Sequence, residues 1–295
     1  MLSNLSGIGV AMLGGDQRNL LVMQRLVELG ATVKVVGLPV PESDRVVVYE
    51  DIEHALQGVR ALLLPVPGTD EEGKLHAVYA KDPLYLKPQH LAQLKPGTPV
   101  LVGVAKSYLR KMAERYKLAL LEVMEIDEVA ILNSIPSAEG AILLAMQNMP
   151  ITIHGSQCVV TGFGRTAMTL ARMLKALGAH TTVVARNPAQ RARAWEIGHQ
   201  VADLGQLPAV LGRADFVFNT IPALVLNRDV LQCMKPGTLI VDLASSPGGT
   251  DFSCAESLGI KAILAPGLPG RYSPRTAGEI LADVIPRLLI EAISS

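Results

Sequence analysis

The sequence predicts an α/β chain of two doubly wound domains with a cleft between them. Three observations predict it. Short apolar runs ending in Gly, Pro or Asn alternate with segments of helical periodicity along nearly the whole chain. Hydrophobic residues make up 49% of the sequence but aromatics only 4%, so burial must come mainly from Val, Leu, Ile, Ala and Met, which suits a parallel sheet covered by helices. The chain also repeats itself weakly. The offset from Gly14 to Gly162 equals that from Gly30 to Gly178, and Leu26–Ala31 resembles Leu174–Ala179. A length of 295 residues accommodates two such domains.

In order, residues 1–6 read as a lead-in and Ile8–Leu13 as a strand closed by Gly14-Gly15-Asp16. Gln17–Leu29 carries Leu20, Leu21, Met23, Leu26 and Val27 at helical spacing, and Gly30 stops it. Strands follow at Thr32–Val36, Val46–Tyr49 and Ala61–Leu64, with Asp51 capping a short helix toward Leu56. Residues 69–87 are polar and read as a loop or flap around the strand ends. Pro88–Leu94 (helix), Pro99–Val102 (strand), Ser107–Tyr116 (helix) and Leu118–Leu121 (strand) complete the first domain. The join falls near residues 122–150. There the acidic run Glu122, Glu125, Asp127, Glu128 reads as a solvated edge, and Ser137 as the N-cap of a crossing helix. The domains are therefore expected at 1–136 with 273–295, and at 151–272, with the crossing helix over 137–150.

The second domain opens with the strand Cys158–Thr161, then Gly162-Phe163-Gly164-Arg165-Thr166-Ala167, then a helix carrying Leu170, Ala171, Leu174 and Leu177 to the stop at Gly178. Thr181–Ala185, Gln200–Ala202, Asp215–Asn219, Leu239–Leu243 and Ile260–Leu264 are its further strands, with helices at Pro188–Ile197 and Leu207–Leu211. The helix over Pro274–Ala292 is expected to return to the first domain.

G-x-G-x-x-A between a strand and a helix has a mechanism. Gly162 permits the tight turn, Gly164 lets the backbone approach a pyrophosphate, and Ala167 lets helix and strand pack closely beneath it. This is the Rossmann dinucleotide fingerprint. An NAD site usually carries Asp or Glu at the end of the second strand, for the ribose 2′-hydroxyl. Here Arg186, Asn187 and Arg191 stand in that region, with Arg193 on a solvated helix face, which points to a 2′-phosphate and NADP. Asn219, Thr220 and Pro222, with Ala244, Ser245 and Leu268, are expected near the nicotinamide end. At the first turn Asp16 replaces the second glycine. A carboxylate there would repel a pyrophosphate, so the first domain is expected to hold substrate instead.

Candidate substrate groups are Gly14, Gly15, Arg18, Ser137 and Arg271, with Asp16, Lys106 and Glu139 as candidate catalytic residues. Helix N-termini and these cations suit a carboxylate-bearing substrate. Lysine and arginine balance aspartate and glutamate at 27 each, so no polyanionic partner is implied. The three cysteines are widely spaced and read as buried thiols of a reducing compartment. The six histidines lack metal-ligand spacing, so no metal is expected. No uninterrupted apolar run approaches the ~18 residues of a membrane span, and a soluble cytoplasmic protein is expected.

Gly14-Gly15-Asp16 with Arg18, Ile135–Ala141, Gly162–Arg165, Gly267–Arg271 and Pro274–Gly278 resemble the dipicolinate synthase A-subunit family over nearly the whole chain. Ser137 stands where that family leads one to expect Thr. The resemblance implies oxidation of dihydrodipicolinate to dipicolinate with NADP⁺, in the mother cell of a sporulating bacterium, alongside a flavoprotein-like B-subunit. The alternatives are an NADP-linked dehydrogenase of the alanine or shikimate dehydrogenase type, a non-catalytic NADP(H)-binding regulatory subunit, or a structural assembly partner. Product analysis separates the first from the family's reaction, and cofactor binding without turnover would mark the second.

Overall fold

The structure is a computed structural model and describes residues 4–294; the start of the expected lead-in lies outside them. The chain divides into two compact units. One comprises the chain up to Ala130 together with the segment from Pro274 onward, the other Ile131–Ser273.

The first unit contains β1 (Gly9–Leu13), α1 (Gln17–Glu28), β2 (Thr32–Val36), β3 (Val46–Val48), α2 (Ile52–Ala55), β4 (Ala61–Leu63), α3 (Pro88–Leu91), β5 (Pro99–Val102), α4 (Ser107–Arg115) and β6 (Ala119–Glu122). Its six strands are all parallel in the order β3-β2-β1-β4-β5-β6. Alternation along β1 explains why both faces are covered. Val10 and Met12 enter one core with Val22, Leu26 and Leu281, while Ala11 and Leu13 enter another with Ile52, Leu91 and Leu109.

α5 (Asp127–Asn148) follows, and the division between units falls inside it. Val129 belongs to the first unit's core, and Ala138, Ala141, Leu144 and Ala145 to the second's. α5 is long and apolar enough to cross a membrane, with mean hydropathy 1.5 over its most apolar stretch, but half of that stretch is buried in the protein, as in a core helix. The second unit continues with β7 (Gln157–Thr161), α6 (Arg165–Ala176), β8 (His180–Val184), α7 (Pro188–Glu196), β9 (Gln200–Ala202), α8 (Leu207–Leu211), β10 (Phe216–Asn219), α9 (Arg228–Leu231), β11 (Leu239–Asp242), α10 (Phe252–Ser257), β12 (Lys261–Leu264) and α11 (Leu268–Tyr272). Its parallel strands run β9-β8-β7-β10-β11-β12, the same topology as the first sheet, so the weak sequence repeat is a repeat of fold. In each unit the strand order reverses beside the first strand, between β1 and β4 and between β7 and β10. That is where open α/β sheets bind ligands.

Several expectations are corrected. The crossing helix starts at Asp127, not at Ser137, and Pro136 lies within it. Ser137 is no N-cap: its hydroxyl donates to the Asn133 carbonyl at 2.8 Å, and that of Ser134 to the Ile131 carbonyl at 2.6 Å. These bonds inside the helix replace the cap that a serine following a proline suggested. Glu122 is not at a solvated edge; it pairs with Arg110 at 2.5 Å and accepts the Ala105 N–H at 2.9 Å. Cys158 and Cys254 are buried, Cys233 is exposed, and burial pushes the Cys158 thiol up to about 11.

α12 (Pro274–Ser294) closes the first unit by lying along α1. The contact needs a glycine. A Cβ at Gly278 would stand 2.6 Å from Leu21 Cδ1 and 3.0 Å from Arg18 Cα. Gly278→Val is therefore expected to lower the unfolding free energy by about 2 kcal/mol, read as a reduced denaturant midpoint with an unchanged slope.

Candidate active site

β7 ends at buried Thr161, and the chain turns at Gly162 with φ +89°. A Cβ at Gly162 would lie 2.5 Å from the Thr220 hydroxyl, and that hydroxyl donates to the Thr161 carbonyl at 2.7 Å. Only glycine lets the turn after β7 and the loop after β10 lie so close. Phe163 points into the core and meets the His199 ring edge-on at 6.4 Å. Gly164 is the N-cap of α6 and supplies no side chain to it, and a Cβ built there would meet nothing within 4 Å. The start of α6 is thus exposed, with no side chain crowding Gly164. A pyrophosphate fits this position, since the positive end of the helix dipole favours an anion and glycine leaves room for it. Arg165 is exposed and Thr166 half-buried beside it, while Ala167 is fully buried against the sheet.

At the end of β8 the structure separates two arginines that the sequence treats alike. Arg191 donates from Nη1 to the Ala185 and Arg186 carbonyls, both at 2.8 Å, and so braces the strand end. Asn187 caps α7 by accepting the Ala189 N–H at 2.8 Å. Arg186 is exposed, and no carboxylate occurs between Ala185 and Trp195. Asn219 is fully buried, with Thr161 Oγ1 donating to its Oδ1 at 2.5 Å. Around it Pro222 and Ser245 are exposed and Ala244 buried. Leu268 is buried at the start of α11 and lies against Gly140 of α5.

The corresponding turn in the first unit is closed. Asp16 is the N-cap of α1, accepts the Arg18 N–H at 3.0 Å, and forms a reciprocal capping box with Asn19. Gly14 N–H is taken by the Val36 carbonyl and Gly15 N–H by the His76 carbonyl, both at 2.8 Å. The carboxylate-binding backbone expected of Gly14 and Gly15 is therefore already satisfied by the chain itself. What this turn presents is a charge pair. Arg18 is only 7% exposed, and its Nε and Nη2 grip the two Asp16 oxygens, the shortest contact being 2.7 Å. Burial pushes the Asp16 carboxyl up, but the hydrogen bonds and charge of Arg18 outweigh it and hold the group below its ordinary range. Asp16 is thus a carboxylate anchored to a guanidinium and a poor proton acceptor at neutral pH. His76 Nε2 stands 3.7 Å from Asp16. No local pattern singles out His76, because only the folded 69–87 segment, bridged to Gly15, brings it there.

Other candidates are placed elsewhere. Lys106 is exposed at the N-cap of α4. The Arg271 guanidinium lies over the Tyr272 ring at 5.0 Å. Glu139 is exposed in an apolar groove with Leu143, Met146, Met173 and Leu177, beside the C-terminal end of α6. It does not join the glycine turn, which is at that helix's other end.

A Rossmann unit with an open glycine turn, in one chain with a second doubly wound unit whose turn is closed, defines an oxidoreductase with one nicotinamide-coenzyme domain. The comparisons with known proteins agree. Residues 138–247 match the family model of the D-isomer specific 2-hydroxyacid dehydrogenase NAD binding domain, and residues 9–124 that of the dipicolinate synthase A-subunit N-terminal domain. The chain is 43% identical to the dipicolinate synthase A-subunit of Bacillus subtilis, over 97% of each chain. It superposes with TM-score 0.94 on the crystal structure of that subunit from Bacillus halodurans, at 39% identity over 97% of this chain and 99% of the other. The corresponding Bacillus subtilis structure gives 0.92 at 42% identity, over 99% of both chains. The chain belongs to the dipicolinate synthase A-subunit family.

The Asp16–Arg18 pair makes a pH-dependent prediction. Because the folded carboxyl titrates below its unfolded value, the pair stabilises above the unfolded pKa, near 3.9, and its contribution is lost as pH falls through the lower folded value. Arg18→Ala should cost about 3 kcal/mol near pH 7 and progressively less below pH 4, measured by urea unfolding across that range.

Proposed function

We propose that this protein oxidises dihydrodipicolinate to dipicolinate with NADP⁺, in the cytoplasm of the mother cell of a sporulating bacterium, together with a second, flavoprotein-like subunit. The reading is carried by one observation: the start of α6 has no side-chain cap and open space where a Gly164 Cβ would stand, while exposed Arg186 follows β8 in a stretch, Ala185 to Trp195, that holds no carboxylate. Gly162, Gly164, Arg165 and Thr166 would hold the pyrophosphate, and Arg186 the 2′-phosphate, with Arg191 holding the Arg186 carbonyl in place. Thr220, Pro222, Ala244 and Ser245 would flank the nicotinamide. The coenzyme supplies a hydride acceptor.

Residues of the chain supply binding and orientation. The substrate is a small ring with two carboxylates. Arg18, its guanidinium fixed by Asp16, would orient one of them, and Lys106 adds a second cation among the strand ends of the same unit. The reaction removes a hydride from one ring atom and a proton from its neighbour, leaving an aromatic ring, NADPH and H⁺. Aromaticity supplies much of the driving force, so geometry matters more here than strong activation. Asp16, already held ionised by Arg18, serves as anchor rather than proton store. In this reading the first unit is the substrate domain and the second the coenzyme domain.

Freshly prepared dihydrodipicolinate and NADP⁺, incubated with the purified chain with and without the second subunit, should yield NADPH and pyridine-2,6-dicarboxylate in equal amounts. Arg186→Ala should weaken NADP⁺ binding about 10- to 100-fold and leave NAD⁺ binding within twofold. A keto acid product, or equal losses for both coenzymes, would contradict the assignment.

A further inference from the structure

We infer that Asp242 is a positioning residue whose buried carboxylate fastens the loops after β10 and β11 into one wall for the nicotinamide end of the coenzyme, an inference that rests on the coenzyme reading above. Asp242 is the last residue of β11 and is fully buried. Its Oδ1 accepts Asn219 Nδ2 at 2.9 Å and the Ala244 N–H at 3.0 Å. Its Oδ2 accepts the Gly249 N–H at 2.8 Å and the Thr250 hydroxyl at 2.6 Å. Four donors thus converge on one anion, and no ion pair to it occurs among the described residues. Removing a carboxylate from water costs several kcal/mol, which a full set of short donors offsets.

The donors come from both loops. Asn219 ends β10, and its Oδ1 also accepts from Thr161 Oγ1 at 2.5 Å and from the Ile221 N–H at 3.1 Å. Ala244, Gly249 and Thr250 belong to the loop after β11. The two loops then lock directly: the Val225 and Leu226 N–H groups both donate to the Gly249 carbonyl, at 3.1 and 3.0 Å. A Cβ at Gly249 would collide with the Ile221 carbonyl and lie 2.5 Å from Asn219 Nδ2. Through Asn219 and Thr161 the same network reaches the residue just before the glycine turn. One carboxylate therefore sets the spacing of the pyrophosphate turn, the Thr220–Pro222 loop and the Ala244–Ser245 loop at the strand ends where ligands bind. A misplacement of the reacting groups of about 1 Å is enough to cost roughly a hundredfold in rate.

Asp242→Asn tests this, because its amide places an NH₂ group against donors. In the ligand-free chain, amides of residues 220–226 and 244–250 should exchange at least about tenfold faster, with those of β7 and β8 unchanged. Calorimetry should show 2′,5′-ADP, the adenosine half alone, binding within twofold of wild type, while NADP⁺ affinity and kcat fall about tenfold or more. If Asp242→Asn does not fold, Thr250→Val removes one donor and should show the same pattern in smaller measure. Unchanged exchange, or equal loss of 2′,5′-ADP and NADP⁺, overturns the inference. A wild-type chain that binds neither ligand overturns the coenzyme reading and the wall's role with it, while the exchange measurement shows separately whether Asp242 fastens the loops.

Discussion

The structure depends on how two copies of the same turn dispose of the N–H groups at the start of a helix. A helix leaves its first N–H groups without internal partners, and something must satisfy them. At α1 the chain does so itself, with the Asp16 carboxylate accepting the Arg18 N–H and the capping box between Asp16 and Asn19. At α6 no side chain caps the helix: the N-cap is Gly164, and a Cβ there would meet nothing within 4 Å. The same fold thus gives one turn capped by a carboxylate and one open glycine turn. The difference lies in two positions, Asp16 against Gly164 and Asn19 against Ala167.

Closing the first turn makes it a rigid mount for Arg18. Gly278 lets α12 approach Arg18 from one side, and Asp16 grips its guanidinium from the other. The resulting cation has little rotamer freedom left, which under the proposed function preorganises it for a substrate carboxylate. In the second unit rigidity comes from polar groups at the strand ends. Thr161, Thr220 and Asn219 join the loops there, and Arg191 braces the β8 end beside Arg186.

Much of this was legible in the sequence. The parallel-sheet class, the open glycine turn and the asymmetry between Asp16 and Gly164 follow from local rules, because turn chemistry and apolar periodicity are encoded residue by residue. Contacts made between distant segments were not legible. His76 reaches Asp16 only through the fold of the 69–87 segment, and Asp242 meets donors from two loops that no spacing rule connects. Arg191 and Arg186 look equivalent in sequence, yet one is spent on backbone carbonyls. Pro136 misled in a different way. Proline often opens a helix, but here the helix runs through it, so Ser137 turns its hydroxyl to an internal carbonyl and Glu139 falls on the groove beside the far end of α6.

The most direct measurement is residue-resolved amide exchange on the wild-type chain, with and without NADP⁺ and no substrate. Protection should appear at Gly164, Arg165 and Thr166, and the amides of Gly14 to Gln17 should stay as they were. Protection confined to the first turn, or none at either turn at saturating coenzyme, would contradict the division of labour between the two units.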